Sequence, residues 1–570
     1  MTTIQHAPGA PPVGWATAMG YLDTGIYAVE AWTDDEAEIL RRYFTNLDGP
    51  VFALVNLPEV VKGALFARYS RSAKSLRRLF LDEFVGDLDI TGDQGVDATV
   101  GLARAEQLYD RVFFEYGDDS VAQLGGVHLA CEQASNVLTK VLEWGRLMSY
   151  MEKSTRYVAY DSRLPNGRYR YYRDPGILES PLGARYIGDM DRLFDTYAEL
   201  LPVMQGWFAD RHPKTPDDSD FAWRQSVRAK AFDALRGVLP AGATSNLGIY
   251  ASGQAYESLL IRMRAHPLPE ARSYADLILT ELRKVIPSWV KRVDVDDRGV
   301  AHSDYLESTS AAMADVVSSL FGEAGTNADP VLGGDPEVSL VDWDPEAEVK
   351  LVAAMLYPYT SLPEHKVEER VASMSNEDRA RVVRSYVGER ANRRHRPGRA
   401  LERTGYRFDV VSDYGAFRDL QRHRLLTVEW QDLTPANGYT MPQSVVDAGA
   451  SGTFAGAMER SAGLHAALAG RFGATQAAYA VALAFRIRYA MQFNAREAMH
   501  VLELRTTPQG HPEYRKVCQQ MHRLIAEKAG HRVIAEMMTH VDLADYEDEG
   551  LERLQGERRA AQRRQERAGI

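Results

Sequence analysis

Residues 143–157 of the chain read Glu143-Trp-Gly-Arg-Leu-Met-Ser-Tyr-Met-Glu-Lys-Ser-Thr-Arg-Tyr157. Just before this stretch and through its first part, Val137, Val141, Trp144, Met148 and Met151 recur at spacings of four and three. That period predicts a helix with one apolar face. It then stops, and Glu152, Ser154 and Arg156 follow in alternation with Tyr157 directly behind. In an extended segment alternate residues share a side, so a carboxylate, a hydroxyl and a guanidinium would converge on one ligand. The planar guanidinium suits a phosphate or a pyrimidine edge. A helix running into a solvated loop with an incidental ion pair explains the same spacing, and on spacing alone it is the simpler reading.

At 570 residues the chain is long for one domain, and its 45% hydrophobic content is ample for sizeable cores. A net charge of −12 argues against non-specific nucleic-acid binding, which needs a basic footprint, so no nucleic-acid partner is expected. A local arginine cluster can still hold an anion on an acidic protein. Two cysteines, Cys131 and Cys518, cannot form a disulfide framework or a cysteine-rich metal site, and no metal-ligand set is read. The start lacks a basic region followed by an apolar run, and no stretch approaches the ~20 apolar residues of a membrane span. A cytoplasmic protein with no membrane partner is the expectation.

In order along the chain, residues 1–90 read as an arm rich in Pro, Gly and Thr followed by a helical extension. Asp34 to Asn46 is predicted as a helix with an acidic first turn, and a second helical run ends at Phe84. Arg68 to Ser72 with Arg77 and Arg78 form a basic patch, read as a solvated helix face with a phosphate contact as the alternative, and Gly86 to Asp97 has the composition of a loop. A helix-rich core fills 91–321. Gly, Pro and Asp crowd residues 322–344, the expected linker, before a second helical core over 345–546 and a charged tail over 547–570.

The quoted stretch resembles the second half of the signature of flavin-dependent thymidylate synthases, Arg-His-Arg-x-x-Ser-x-Asn-Glu-x-Ser-x-Arg-Tyr. Arg146 and Ser149 are in register, but Trp144-Gly145 replaces the opening Arg-His and Met151 replaces the Asn. The missing piece stands downstream as Arg422-His423-Arg424, where the later Glu, Ser, Arg and Tyr have become Trp430, Asp432, Thr434 and Pro435. A second window repeats the pattern. Ala234-Leu-Arg-Gly-Val-Leu-Pro240, ahead of a Gly/Ser-containing helix, resembles the family's Arg-x-Val-Leu-Pro element and points to Arg236. The following Asn-x-Arg-x-x-x-Asn-x-x-x-x-Arg element is lost in the first half, where Ser252, Gln254, Ser258 and Met263 stand. It survives in the second as Asn494, Arg496, His500 (for Asn) and Arg505, while the position of the first arginine there holds Ala478. Each half keeps what the other lost, which reads as a diverged tandem duplication.

Helix geometry gives the second window content of its own. Asn494 and Arg505, eleven residues apart, would lie about three turns or roughly 16 Å apart on nearly one face, with Arg496 and His500 sharing another. Polar groups on two faces of a buried helix must meet a ligand or each other. An amphipathic helix with surface charges is the plainer alternative.

The resemblance implies an α+β fold: two tandem helix-rich domains of this family forming a pseudo-dimer, with a homodimer reproducing the family's tetramer. It implies reductive methylation of dUMP to dTMP with FAD as cofactor and NADPH and methylenetetrahydrofolate as co-substrates. No enzyme cysteine need attack the ring. It assigns Glu152, Ser154, Arg156, Tyr157, Arg236, Arg422 and Arg505 to the nucleotide, with Arg505 and Arg422 as the catalytic arginines. It assigns Arg146, Glu402, Arg422, His423, Arg424, Asn494, Arg496 and His500 to the flavin. Glu402 precedes Tyr406-x-Phe408 much as the family's Glu precedes Phe-x-Phe, and Arg393 to Arg399 precede both. Asp419 departs from the pattern, standing where the family often has a uracil-reading Gln. Modification of another pyrimidine nucleotide, or a non-catalytic nucleotide-binding scaffold, are the alternatives that these losses leave open.

Overall fold

The computed structural model describes residues 21–23, 27–57, 62, 65, 66, 69, 72–83, 85, 126–216, 218–326, 336–544, 551, 554 and 558, with the backbone alone at 21–23, 28, 29 and 323–326. The expected Gly86–Asp97 loop, Phe84, most of Arg68–Ser72, and most of the arm and tail lie outside them. The chain divides into two compact units, Met1–Phe194 with Ala241–Val316, and Asp195–Pro240 with Val317–Ile570.

The first unit holds a four-stranded antiparallel sheet. Its strands are β3 (Val51–Leu54), β4 (Gly126–Ser135), β5 (Met148–Glu152) and β6 (Thr244–Ser252), in spatial order β3-β4-β6-β5. A separate two-stranded ribbon pairs β1 (Tyr21–Asp23) with β2 (Ala28–Glu30). Helices Asn136–Leu142, Gly253–Arg264 and Pro269–Arg283 follow the long strands. Ser135 ends β4 and caps the next helix through Leu138 N, and Ser252 ends β6 and caps its own through Ala255 N. β4 carries a bulge between Cys131 and Ala134, where Gln133 takes a positive φ of 59°.

The second unit repeats the plan with β7 (Val338–Trp343), β8 (Gly405–Asp413), β9 (Thr427–Trp430) and β10 (Arg486–Asn494), in order β7-β8-β10-β9. Here β8 pairs with β10 in unbroken register from Gly405↔Asn494 to Asp413↔Arg486. Helices Tyr414–Leu420, Ala495–Arg505 and Pro512–Glu527 take the corresponding places, capped by Asp413, Asn494 and His511. Helix Asp220–Leu235 also belongs to this unit. After it, Gly237 and Leu239 carbonyls accept from Ala484 N at 3.0 Å and Leu483 N at 2.9 Å, and Pro240 bridges Ala482. A Cβ on Gly237 would lie 2.9 Å from that of Ala484, so glycine permits the approach.

Several expectations change. The helix read through Met151 ends at Leu142, the chain turns near Gly145, and Met148–Glu152 becomes β5. Pairing with β6 overrides a local period of four and three, and Trp144 and Met151 are left exposed. The segment after Pro240 continues into β6 before its helix begins at Gly253. The helix from Asp34 stops at Arg41, and β7 lies inside residues read as a linker. Arg77, read as part of a solvated patch, is 2% exposed: it donates to Asn46 O and Gly49 O and lies over the Phe52 ring at 4.2 Å. Arg558 in the tail holds Asp218 with two hydrogen bonds of 2.7 and 2.6 Å. No described helix is long and apolar enough to cross a membrane.

Candidate functional site

The second unit gathers three of the arginines singled out in the sequence on one carboxylate. Asp419 sits on the last turn of helix Tyr414–Leu420, and Arg422 follows in the turn leading to β9. Arg236 comes from the end of helix Asp220–Leu235, and Arg505 ends helix Ala495–Arg505. Arg236 Nη1 donates to Asp419 Oδ2 at 3.2 Å, Arg422 Nη2 donates to Oδ1, and Arg505 Nη1 lies 3.9 Å from Oδ1. Arg236 is 5% exposed, and its Nη2 has no hydrogen-bond partner. Asp413 Oδ1 lies 4.0 Å from that nitrogen. Three cations against Asp419 and Asp413 leave attraction for a further anion, and the half-buried Arg422 and Arg505 leave a way in.

Behind Arg505 stands His423, whose Nε2 accepts from Arg505 Nε at 2.9 Å. That bond fixes the neutral tautomer with Nδ1 protonated and facing Glu497 Oε1 at 3.6 Å. Burial, with Arg505, His500 and Arg422 adding to it, holds the His423 pKa well below the usual histidine range. His500 is pushed down to about 4 by burial and then by Arg396, Arg393 and Arg505, and Arg396 Nη2 lies 3.3 Å from its Nδ1. Burial raises Glu497 to about 7 although Arg396, Arg496 and Arg424 oppose it.

His423, Glu497 and His500 bring ligand-type atoms within 4.8 Å of one another. The guanidiniums around this group disfavour a cation. The same surplus fits a pyrophosphate-bearing cofactor, so the donor set suits the flavin that the sequence reading implied. Asn494 departs from its expected place within the helix: it caps it, accepting from Glu497 N at 2.9 Å. Arg496 donates to Pro397 O at 3.0 Å and Glu402 Oε1 at 3.2 Å, and Arg399 also holds Glu402. Arg424 is exposed.

The first unit carries the other named residues. Extended alternation from Glu152 to Arg156 does not persist: Ser154 Oγ accepts from Arg156 N at 3.2 Å, and Ser154 O accepts from Tyr157 N at 3.2 Å. These bonds close a turn and re-aim Arg156. Glu152 is buried 3.6 Å from Lys140 Nζ, which also pairs with Glu143. Arg146 and Tyr157 are exposed, and Ser154 and Arg156 are half-buried. Trp144 and Gly145 occupy the turn after helix Asn136–Leu142 that Arg422 and His423 occupy after helix Tyr414–Leu420. Asp413, Glu497 and the buried Lys140 were not found from sequence; Glu497 is the immediate neighbour of the matched Arg496, the one signal available, while Asp413 stands nine residues before Arg422 with no such mark.

Comparison with known proteins finds the family described as "Thymidylate synthase complementing protein" over residues 67–288 and again over 339–530. A UPF0159 protein of Chlamydia muridarum (strain MoPn / Nigg) is 38% identical over 531 residues, 93% of this chain and 98% of the relative. One of Chlamydia pneumoniae is 38% identical over 535 residues, again 93% and 98%. One of Thermoplasma acidophilum is 31% identical over 511 residues, 85% and 96%. Among solved structures, the UMP/dUMP methylase PolB from Streptomyces cacaoi bound with 5-Br dUMP aligns at 19% identity and a TM-score of 0.28. It covers 37% of this chain and 98% of that one, a likeness too low to bear on fold or chemistry.

Proposed function

We propose, from the premise that this chain belongs to the thymidylate synthase complementing protein family as a tandem-duplicated member, that it is a flavin-dependent pyrimidine nucleotide methylase. The reaction is the reductive methylation of dUMP to dTMP, with methylenetetrahydrofolate and NADPH as co-substrates. The observation that carries this reading is the meeting of Arg236 with Asp419, Arg422 and Arg505, because those arginines come from motif elements kept in different halves.

In this reading the free Nη2 of Arg236, with Arg422 and Arg505, takes the phosphate and the charge that develops on the pyrimidine. Asp419 holds the three guanidiniums in place until the substrate arrives. His423, Arg424, Asn494, Arg496 and His500, with Glu402 behind Arg496, hold the flavin, which supplies the reducing equivalents when bound. His423 stays neutral and accepts from Arg505, so it orients that arginine and does not repel it. The buried thiols do not act as nucleophiles: burial raises Cys518 to about 12 and lifts Cys131 well above the ordinary thiol range.

A pseudo-dimer of the two matched repeats is part of this reading. One complete site per chain, and a homodimer of chains, complete the reading.

Asp419 favours a second reading. A carboxylate only accepts, and it suits the amino group of a cytosine ring better than it suits the O4 of uracil. Turnover assays with reduced flavin, methylenetetrahydrofolate and either dUMP or dCMP separate the two. Arg505→Ala should abolish turnover of the accepted nucleotide while circular dichroism stays native. Full turnover in that variant would contradict the assignment.

A further inference from the structure

The first unit contains a cavity of about 90 Å³ that no motif claims. Among the described residues its charged walls are Lys153, Arg77, Arg168, Arg170 and Arg173 against Glu30 and Glu132, five cations and two anions. Both carboxylates are already engaged. Glu132 Oε1 accepts from Tyr69 Oη at 2.9 Å and Leu76 N at 3.0 Å, while Glu30 accepts from Ser75 Oγ at 3.0 Å and Arg78 Nε at 3.1 Å. Three of the cations are deeply buried: Arg77 at 2% exposure, Lys153 at 5% and Arg173 at 7%. Arg77 Nη2 faces Glu132 Oε2 at 3.8 Å while its Nε has no hydrogen-bond partner, and Lys153 Nζ donates to Ala73 O over a long 3.3 Å. Buried cations with open donors in a cavity of net positive charge call for an oxyanion.

The backbone is shaped to the same place. The β4 bulge puts both Glu132 and Gln133 on the cavity wall, and Gln133 N is tied to Asn246 Oδ1 at 3.0 Å. The corresponding strand of the second unit has no bulge, so the distortion belongs to this cavity and not to the shared fold. Lys153 continues the ladder beyond β5, donating from its backbone to Asn246 O at 2.9 Å. Alternation there sends its side chain to the opposite face from Glu152.

We propose that this cavity is a second anion site, in which Lys153, Arg77 and Arg170 hold an oxyanion of phosphate size. Its volume admits a phosphoryl group. The site is built from first-unit residues alone and stands whether or not the catalytic reading holds. Burial, and then Arg170 against Glu132, brings Lys153 down to about 7. An anion would raise it again, so binding near pH 7 takes up as much as about half a proton.

Isothermal titration of the full-length protein at pH 7 with sulfate, a phosphate-sized oxyanion that does not itself titrate there, in two buffers of different ionisation enthalpy, reads both quantities. The native chain should bind with proton uptake, and Lys153→Met should weaken binding at least ~10-fold and abolish the uptake. Lys153→Met removes a buried charge and keeps the volume, so folding should survive, and circular dichroism checks it. Arg505→Ala, which alters the other anion site, should keep the uptake. Titration with dUMP and dTMP in parallel identifies the source: Lys153-dependent uptake with a nucleotide alone assigns the site to a nucleotide phosphoryl group. If neither sulfate nor nucleotide binding depends on Lys153, or if sulfate binds without proton uptake, the proposal falls.

Discussion

Arg236 donates to Asp419 at 3.2 Å, so an arginine from the first repeat is buried against a carboxylate from the second. The position equivalent to Arg236 in the second repeat is Ala478, and the position equivalent to Arg422 in the first holds Trp144. Decay of opposite elements in two copies is tolerable where one site needs only one of each. Breaking this pair should be costly in two ways. Arg236→Ala leaves Asp419 and Asp413 buried without that cation, at about 3–5 kcal/mol of stability. Arg236→Lys keeps the charge but loses the planar fork, and should keep the fold while lowering kcat/KM by roughly 10- to 100-fold. Urea unfolding and steady-state kinetics on both variants check the pair.

Gly415 makes room for that arginine. A Cβ there would lie 2.9 Å from Arg236 Nε and 3.0 Å from its Nη2. Gly415→Ala should therefore displace the guanidinium, raising KM for the nucleotide by about tenfold or more while lowering Tm less than Arg236→Ala does, because the cation stays beside its carboxylates. A large fall in Tm with unchanged KM would count against the role given to Arg236.

Much of this was legible in the sequence, and the reasons differ by residue. Arg236, Arg422, His423 and Arg505 could be placed because each lies in a short motif whose order survives in one half. The strand at Met148–Glu152 could not, because Val137, Val141, Trp144 and Met148 satisfy a helical period by spacing alone, while pairing with β6 lies about a hundred residues away in the chain. Arg77 reads as a surface arginine until Asn46, Gly49 and Phe52 fold around it. Lys153 carries no local mark of burial either; only the bulge at Gln133 and the loop bearing Arg170 enclose it.

Lys140 tests the structural role given to Glu152. It lies 3.6 Å from Glu152 and pairs with Glu143, all three nearly inaccessible. Lys140→Met should lower stability by about 3–5 kcal/mol, because two carboxylates then remain buried without it. Differential scanning calorimetry would read the loss. An unchanged Tm would return Glu152 to the list of groups free to meet a ligand.

Glu497 and His500 predict opposite pH dependences. Glu497 titrates near 7 in the folded chain against 4.5 ordinarily, so between those values the native state holds the extra proton. Its contribution is present below 4.5 and lost as pH rises through 7. His500 titrates near 4 against 6.5, so the unfolded state holds the extra proton and stability is lost as pH falls from 6.5 through 4. Urea unfolding from pH 4.5 to 7 should therefore show a steeper rise of stability with pH in Glu497→Gln than in the native chain, and a shallower one in His500→Asn.

Asp419 decides the base. Asp419→Gln should raise turnover of dUMP relative to dCMP, since an amide can both donate to O4 and accept from N3–H. Competition between the two nucleotides in one assay gives the ratio directly, and a ratio that does not move would show that Asp419 serves the arginines alone.

The most direct test of the composite site is the flavin content of the purified chain after saturation with FAD and gel filtration, read from the visible spectrum against protein concentration. The account predicts one flavin per chain, lost in a chain carrying both His423→Ala and Arg424→Ala. Two flavins per chain, or a colourless native protein, would contradict it.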